Sequence, residues 1–207
     1  MIYLIITTSL HNRYGSSVNR EQQYQSSIQE ILAHLPPVIQ PIIVENNGRR
    51  KTFLESFVHH EKFVPVIYTD HNEMRKSKGV KELLDIQYVI RQYGIGDNDM
   101  MIKVTGRYRV TSSLFFQEVM NRHEHYDAFI KFYGVCSLQF DRNESVLGLY
   151  AMRAYLLLWC HPTSIDLSSS AEVAFAKYAK RSCSKIREIE YLGLTCVFAE
   201  DGRTLDV

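Results

Sequence analysis

Residues 101–110 read "MIKVTGRYRV", a run that starts as a core strand and ends in a turn bearing two cations. Met101, Ile102 and Val104 are apolar, Thr105-Gly106 interrupts the strand, and Arg107 and Arg109 follow. Alternate residues of an extended chain point the same way, so the two guanidinium groups are expected on one side. Paired in that way they would suit phosphoryl oxygens, because each fork donates two hydrogen bonds. The competing reading is a surface pair matched to acids elsewhere.

Outward from this strand, short runs rich in Ile, Val and Tyr alternate with longer stretches of helical period, which predicts an α/β domain with a mainly parallel sheet. Strands are expected over 2–7, 41–45, 64–69 and 100–105. Residues 18–35 place Tyr24, Ile28, Ile31, Leu32 and Leu35 on one helical stripe that stops at Pro36-Pro37. A short helix is expected over 50–59. A longer one carries Val80, Leu83, Leu84, Ile86, Val89 and Ile90 and ends at Gly94 and Gly96. Later signals are weaker: helices over 114–121, 151–159 and 170–180, strands over 128–133 and within "YLGLTCVFA", and a further strand in "GVCSLQF".

The chain of 207 residues fits a single domain, with a first half over 1–110 and a second over 111–207. Lys and Arg number 24 against 23 Asp and Glu, so net charge gives no argument for a nucleic-acid or membrane partner. Any anion site is therefore local. The four cysteines show no metal-ligand spacing and read as thiols of a reducing, cytoplasmic compartment. No transmembrane segment or signal peptide is expected, and the eight histidines form no HxxxH or HxH pair. No GxSxG, P-loop or GxGxxG motif occurs.

In an open α/β sheet, ligands sit at the carboxyl ends of the strands, near the point where strand order reverses. That rule selects residues 7–13, 45–50, 70–78 and 105–109. Glu45 ends an apolar strand and could accept from ribose hydroxyls or a base edge, whereas Asn47-Gly48 is at least a turn. Asp70 and Asn72 could cap a helix. Lys76 and Lys78 near a helix start are unfavourable for its dipole, and so read as anion ligands.

Taken together, "IIVENNGRRKTFLE" and "VIYTDHNEMRKSKGVKELLDI" resemble successive segments of the nucleotide-sugar glycosyltransferases of the GT-A fold. Phrases such as "IKVTGRYRV" and "YDAFIKFYGVCSLQF" resemble small glycosyltransferase-like proteins of giant viruses and some microbes. The resemblance implies a single GT-A-like domain and transfer of a sugar from a nucleoside diphosphate, by family frequency UDP, to a hydroxyl of a glycan or other acceptor. Thr7, Thr8, Arg13, Glu45, Asn72 and Lys78 would then bind the nucleotide, and Thr105, Gly106, Arg107 and Arg109 the diphosphate, with the glycine allowing close approach of the backbone.

Relatives of this type carry Asp-x-Asp at the end of the fourth strand to hold Mn²⁺ or Mg²⁺, where this chain has Thr105-Gly106-Arg107. Two arrangements of charge answer that departure. In the favoured one the arginines replace the metal; in the other a metal is held from elsewhere, with Asp70 as ligand. The Asp97-Asn98-Asp99 loop lies before the strand, at its opposite end. An inverting reaction needs a base at a late helix start, for which Glu172 is the first candidate and Asp166 the second. Glu172 also has a purely structural reading, in a first turn capped by Ser170. Retaining chemistry would need no such base. A non-catalytic nucleotide-sugar or glycan-binding protein and a nucleotidyltransferase are the rival functions.

Overall fold

The computed structural model describes residues 1–11, 17–48, 50–71, 77–135, 137–162, 170–197 and 203–207. In chain order its strands are β1 (Ile2–Thr8), β2 (Gln40–Glu45), β3 (Val58–His59), β4 (Lys62–Phe63), β5 (Val66–Tyr68), β6 (Met100–Thr105), β7 (Arg109–Val110), β8 (Ala128–Ile130), β9 (Leu149–Arg153), β10 (Ile186–Glu188), β11 (Leu194–Val197) and β12 (Thr204–Asp206). The helices are α1 (Ser17–His34), α2 (Lys78–Gln92), α3 (Leu114–Arg122), α4 (Ala154–Trp159) and α5 (Ala171–Ser182).

Seven strands form the central sheet in the order β10-β8-β9-β6-β1-β2-β5. Every pairing within it is parallel except those that β9 makes with β6 and β8. The chain moves outward from β1 through β2 to β5, then returns to lay β6 on the other side of β1. Strand order reverses there, so the carboxyl ends of β1 and β6 frame a crevice.

Pleating explains why β1 is apolar throughout. Ile2, Leu4 and Ile6 face one core with Met100, Ile102 and Val104, against Tyr24, Ile28, Ile31, Leu32 and Leu35 of α1. Tyr3 and Ile5 face the opposite core with Met101, against Val80, Leu83, Ile86, Val89 and Ile90 of α2. A strand covered by helices on both sides shows no polar alternation, and a helix shows one apolar stripe. The second helix ends where the sequence says, at Gly94 with φ +61°.

Three expectations are corrected. Residues 50–59 do not form a helix: Phe53–Ser56 is a single 3₁₀ turn capped by the Thr52 hydroxyl, and β3 and β4 make a hairpin turning at His60 and Glu61, both with positive φ. The helix over 151–159 begins only at Ala154, because Leu149–Arg153 is inserted as an antiparallel strand between β6 and β8. A strand buried on both faces has the same unbroken apolar run as a buried helix, so period alone cannot separate them. In place of the strand in "GVCSLQF", the described residues show a tight turn with a Gly134–Gln139 bridge and Leu138 at φ +55°; Cys136 lies outside them. The antiparallel sheet β12-β11-β7 was not anticipated as a unit.

Gly106 is required for packing between strands. Its N–H donates to Thr7 O at 2.9 Å. A Cβ placed there would lie 3.0 Å from the γ-methyls of Ile6 and Thr8 and 3.1 Å from Thr7 O. The backbone approach expected toward a ligand is thus an approach to β1. Gly106→Ala should destabilise the protein by about 1–3 kcal/mol, measured by urea unfolding, whereas an unchanged midpoint would show that the strands can separate at no cost.

Candidate functional site

Thr7 and Thr105 lie opposite one another in register at the carboxyl ends of β1 and β6. On the same face of β6, two residues before Thr105, stands Lys103, only 2% exposed. Its Nζ donates to Thr105 Oγ1 at 2.7 Å, Leu147 O at 2.7 Å and Glu82 Oε2 at 2.9 Å, the three acceptors an ammonium can use. Glu82, in the first turns of α2, also accepts from Thr7 Oγ1 at 3.3 Å and remains 29% exposed. A buried cation thus lies beneath the crevice and a partly open carboxylate lines it. Sequence reasoning named neither, although a lysine within an otherwise apolar strand is itself a signal of a buried partner.

Arg107 and Arg109 diverge. Residues 106–108 form a turn closed by Tyr108 N–H to Thr105 O at 2.9 Å, so the extended geometry that would align the two side chains does not hold. Arg109 is 57% exposed and pairs with Glu30 of α1, Nε to Oε2 at 3.0 Å. Arg107 turns inward, with Nε donating to Val197 O at 3.2 Å and its guanidinium carbon 5.0 Å from the centre of the Tyr108 ring. Burial pulls its pKa down, but Tyr24, Tyr108 and Glu82 outweigh burial and the net shift is upward. Tyr108 is pushed up to about 12, first by burial and then, against the lowering effect of Arg107, by Cys196, Glu82 and Glu172. Glu82 therefore acts electrostatically on both Arg107 and Tyr108, and Glu172 on Tyr108.

Glu45 has a different place from the one expected. It is fully buried, with its Oε2 2.6 Å from Thr8 Oγ1, and its carboxyl accepts from Leu10 N–H at 3.1 Å and from Asn47 N–H at 3.3 Å. The nucleoside contact is replaced by bonds that tie the chain after β1 to the chain after β2. Burial, above all, raises its pKa to about 7. Thr8 itself is buried and also donates to Val44 O at 2.9 Å, so it supports this junction from within the fold and does not line an open pocket.

Glu172 occupies the first turn of α5, where the Ser170 hydroxyl accepts from its N–H at 3.1 Å and donates to its Oε2 at 2.7 Å. The cap is formed as its structural reading requires, and its charge also reaches Tyr108 in the crevice. Lys78 begins α2 and is exposed. Asp70 lies beyond edge strand β5, with Oδ1 3.5 Å from Arg50 Nη2. A second unanticipated group lies nearby: Asp85 of α2 is buried and accepts from Thr69 Oγ1 at 2.6 Å, its Oδ1 standing 2.7 Å from His71 Nδ1. Arg13, Asn72, Lys76 and Asp166 lie outside the described residues.

The donor set at the end of β6 does not suit the divalent ion that the resemblance implies. Thr105 Oγ1 and Glu82 Oε2 are engaged by the Lys103 ammonium, position 106 has no side chain, and position 107 is a cation. Among the described residues no three His, Cys, Asp or Glu side chains, Asp70 included, gather so as to hold a metal. Among the same residues no helix is long and apolar enough to cross a membrane.

No family model and no curated protein matches the sequence. Solved structures do match the fold. A protein of Desulfovibrio desulfuricans G20 described as a nucleotide-diphospho-sugar transferase superposes with TM-score 0.58 at 12% identity, covering 90% of this chain and 78% of its own. The glycosyltransferase GlyE of Streptococcus pneumoniae TIGR4 gives 0.54 at 9% identity, covering 91% of this chain and 45% of its own. The 4-diphosphocytidyl-2C-methyl-D-erythritol synthase of Anaerococcus prevotii gives 0.55 at 12%, with 91% and 86% covered. At these identities the likeness shows the fold alone: a mixed α/β sheet flanked by helices, shared with these structures.

Proposed function

We propose that the protein is a glycosyltransferase, taking a sugar from a nucleoside diphosphate, with UDP the first base to test, and passing it to a hydroxyl of a glycan or other acceptor. The observation that carries this reading is the convergence of Thr7, Thr105, Glu82, Lys103, Arg107 and Tyr108 at the point where strand order reverses. The shared fold adds weight, because transferases of nucleotide-linked substrates use the carboxyl edge of such a sheet. In an inverting course the acceptor oxygen bonds to the anomeric carbon as the bond from that carbon to the diphosphate oxygen breaks. The nucleoside diphosphate leaves with the bonding pair, and the acceptor proton passes to Glu172. Cations beside the leaving group stabilise the charge that develops on it.

Thermal stabilisation by UDP, GDP, CDP and dTDP, each with Mn²⁺ or with EDTA, is the first measurement. One diphosphate should raise Tm in EDTA, and a labelled sugar donor of the same base should then give product or slow hydrolysis. Donor binding without turnover would favour the non-catalytic reading. Pyrophosphate released from a nucleoside triphosphate and a phosphorylated acceptor would favour nucleotidyl transfer.

A further inference from the structure

A second concave site lies on the same edge of the sheet as the crevice. β6 and β8 both run antiparallel to β9, and β10 runs parallel to β8, so all three of β6, β8 and β10 end on one edge. β8 is two strands from β6 and β10 is three, which at about 4.8 Å per strand is roughly 10–14 Å along that edge. There a cavity of about 680 Å³ is lined by Tyr126, Lys131, Tyr133, Phe140, Arg187 and Glu188, among others. Its size is that of a small-molecule site.

The sheet fixes the floor of this cavity, with Ile189 N–H donating to Ile130 O at 2.9 Å. Beyond β8 the chain doubles back: Phe132 is bridged to Ser145, Tyr133 N–H donates to Glu144 O at 3.1 Å and Gly134 N–H to Gln139 O at 2.9 Å. The returning segment carries Phe140 and leaves it 64% exposed. It also reaches the candidate base, because the buried Ser145 donates from Oγ to Glu172 O at 3.1 Å. The charged groups of the lining are matched within the protein. Arg187 Nε donates to Glu118 Oε1 at 2.7 Å, Arg142 Nη2 to Glu188 Oε1 at 2.7 Å, and Lys131 Nζ to Glu190 O, with that ammonium 5.5 Å from the centre of the Tyr133 ring. An anionic ligand would have to draw these cations from their partners. Aromatic rings beside paired polar groups suit instead a neutral molecule with one apolar face and a rim of hydroxyls. A pyranose is built in that way: its C–H face can lie on a ring, and its hydroxyls exchange hydrogen bonds with charged side chains.

We propose that this cavity binds a neutral oligosaccharide and holds a unit of the acceptor remote from the one that reacts. Saccharide binding stands on the chemistry of the cavity; its role as an acceptor site rests on the proposed function. The offset of two to three strands from β6 makes the unit remote, since the hydroxyl that takes the sugar must lie at the crevice while units farther along reach the cavity. Contacts to such a unit hold the acceptor in place for the reaction, and a short acceptor lacks them. An edge strand such as β10 also admits an extended peptide, but three residues offer such a peptide few backbone groups.

Saturation-transfer NMR of the full chain with tetrasaccharides of glucose, galactose, mannose, xylose and N-acetylglucosamine, then calorimetry of those that bind, tests the proposal. At least one should bind. Phe140→Ala should weaken it about tenfold, the scale of losing one stacked ring, and Glu190→Trp, which adds bulk to the lining from an exposed position, should weaken it at least as much. The two variants act oppositely, one emptying the cavity and one filling it, and both positions are exposed, so folding is retained. Trp159→Ala removes a ring 73% exposed on α4, outside the cavity, and should leave affinity within about twofold. No binding by the unaltered protein, unchanged affinity in either cavity variant, or an equal loss in Trp159→Ala would overturn the site. Binding of an alternating Val-Thr octapeptide in place of every saccharide would give the cavity to a peptide and overturn it too. With a donor that supports transfer, Phe140→Ala should lower kcat/KM about tenfold for the tetrasaccharide and leave the matching monosaccharide within about twofold; equal losses would overturn the remote role. Saccharide binding that depends on Phe140, with no transfer from any donor, would leave the site and sink the donor reading. Transfer with binding indifferent to Phe140 and Glu190 would spare that reading and sink the site.

Discussion

Glu82→Ala should destabilise the protein by about 3–5 kcal/mol, and more than Lys103→Met does. The asymmetry follows from exposure: Lys103 is 2% exposed and Glu82 29%. Removing the acid strands an ammonium inside the protein, where burial of an uncompensated charge is strongly unfavourable. Removing the lysine leaves a carboxylate that water can reach, together with Thr105 Oγ1 and Leu147 O short of one donor each; about 1–3 kcal/mol is expected. The double variant should lose clearly less than the sum of the two, because the stranded charge is absent from it. Urea unfolding of the four proteins at pH 7 measures the cycle. Additive losses would show that the ammonium and carboxylate do not depend on one another, and that the crevice lacks the buried cation described here.

The same pair shows what a sequence discloses and what it hides. Helices α1 and α2 were legible by an apolar stripe of one period, and strands β1, β2 and β6 as short apolar runs that stop at polar turns, and both cores follow from them. Leu149–Arg153 was not, since its apolar run passes directly into that of the helix Ala154–Trp159 and a strand enclosed on both sides has no alternation to separate the two. The ends of β1, β2, β5 and β6 were legible, because the apolar runs stop there. The partners of the residues at those ends were not, because partners are set by turns and by packing across the sheet. One turn at residues 106–108 sends Arg109 to Glu30 and Arg107 to Val197 O and the Tyr108 ring. Arg20 and Tyr24 stand four apart on one helix, which places them on one face; that both bond to Ser9 appears only in the fold. Lys103 finds its carboxylate partner 21 residues earlier in the chain, on helix α2.

Between about pH 4.5 and 7, the stability of the natural protein should fall relative to that of Glu45→Gln by roughly 3 kcal/mol in all. The folded protein holds the Glu45 proton up to about pH 7, against an ordinary value of 4.5 when the side chain is free in water, and the chief cause is burial. A group whose pKa is raised by folding binds its proton more tightly in the native state. Its stabilising effect is complete below the unfolded pKa and is lost as pH rises through the folded one. Local geometry gives the same sign. Thr8 has one hydroxyl proton and two acceptors, Val44 O at 2.9 Å and Glu45 Oε2 at 2.6 Å. When Glu45 is ionised, one of those contacts goes without a proton. When it is protonated, its own O–H donates to Thr8, Thr8 donates to Val44 O, and the other carboxyl oxygen accepts from the N–H groups of Leu10 and Asn47. Glutamine reproduces that protonated arrangement at every pH, its amide N–H donating to Thr8 and its carbonyl oxygen accepting from the two backbone groups. Glu45→Gln should therefore match the natural protein near pH 4.5 and exceed it above pH 7, with titrations at other sites cancelling in the difference. Chemical denaturation across that range gives the comparison, and parallel curves would show that Glu45 is already ionised throughout. Because this carboxyl joins the chains after β1 and β2, its charge also sets how firmly the rim of the crevice is held.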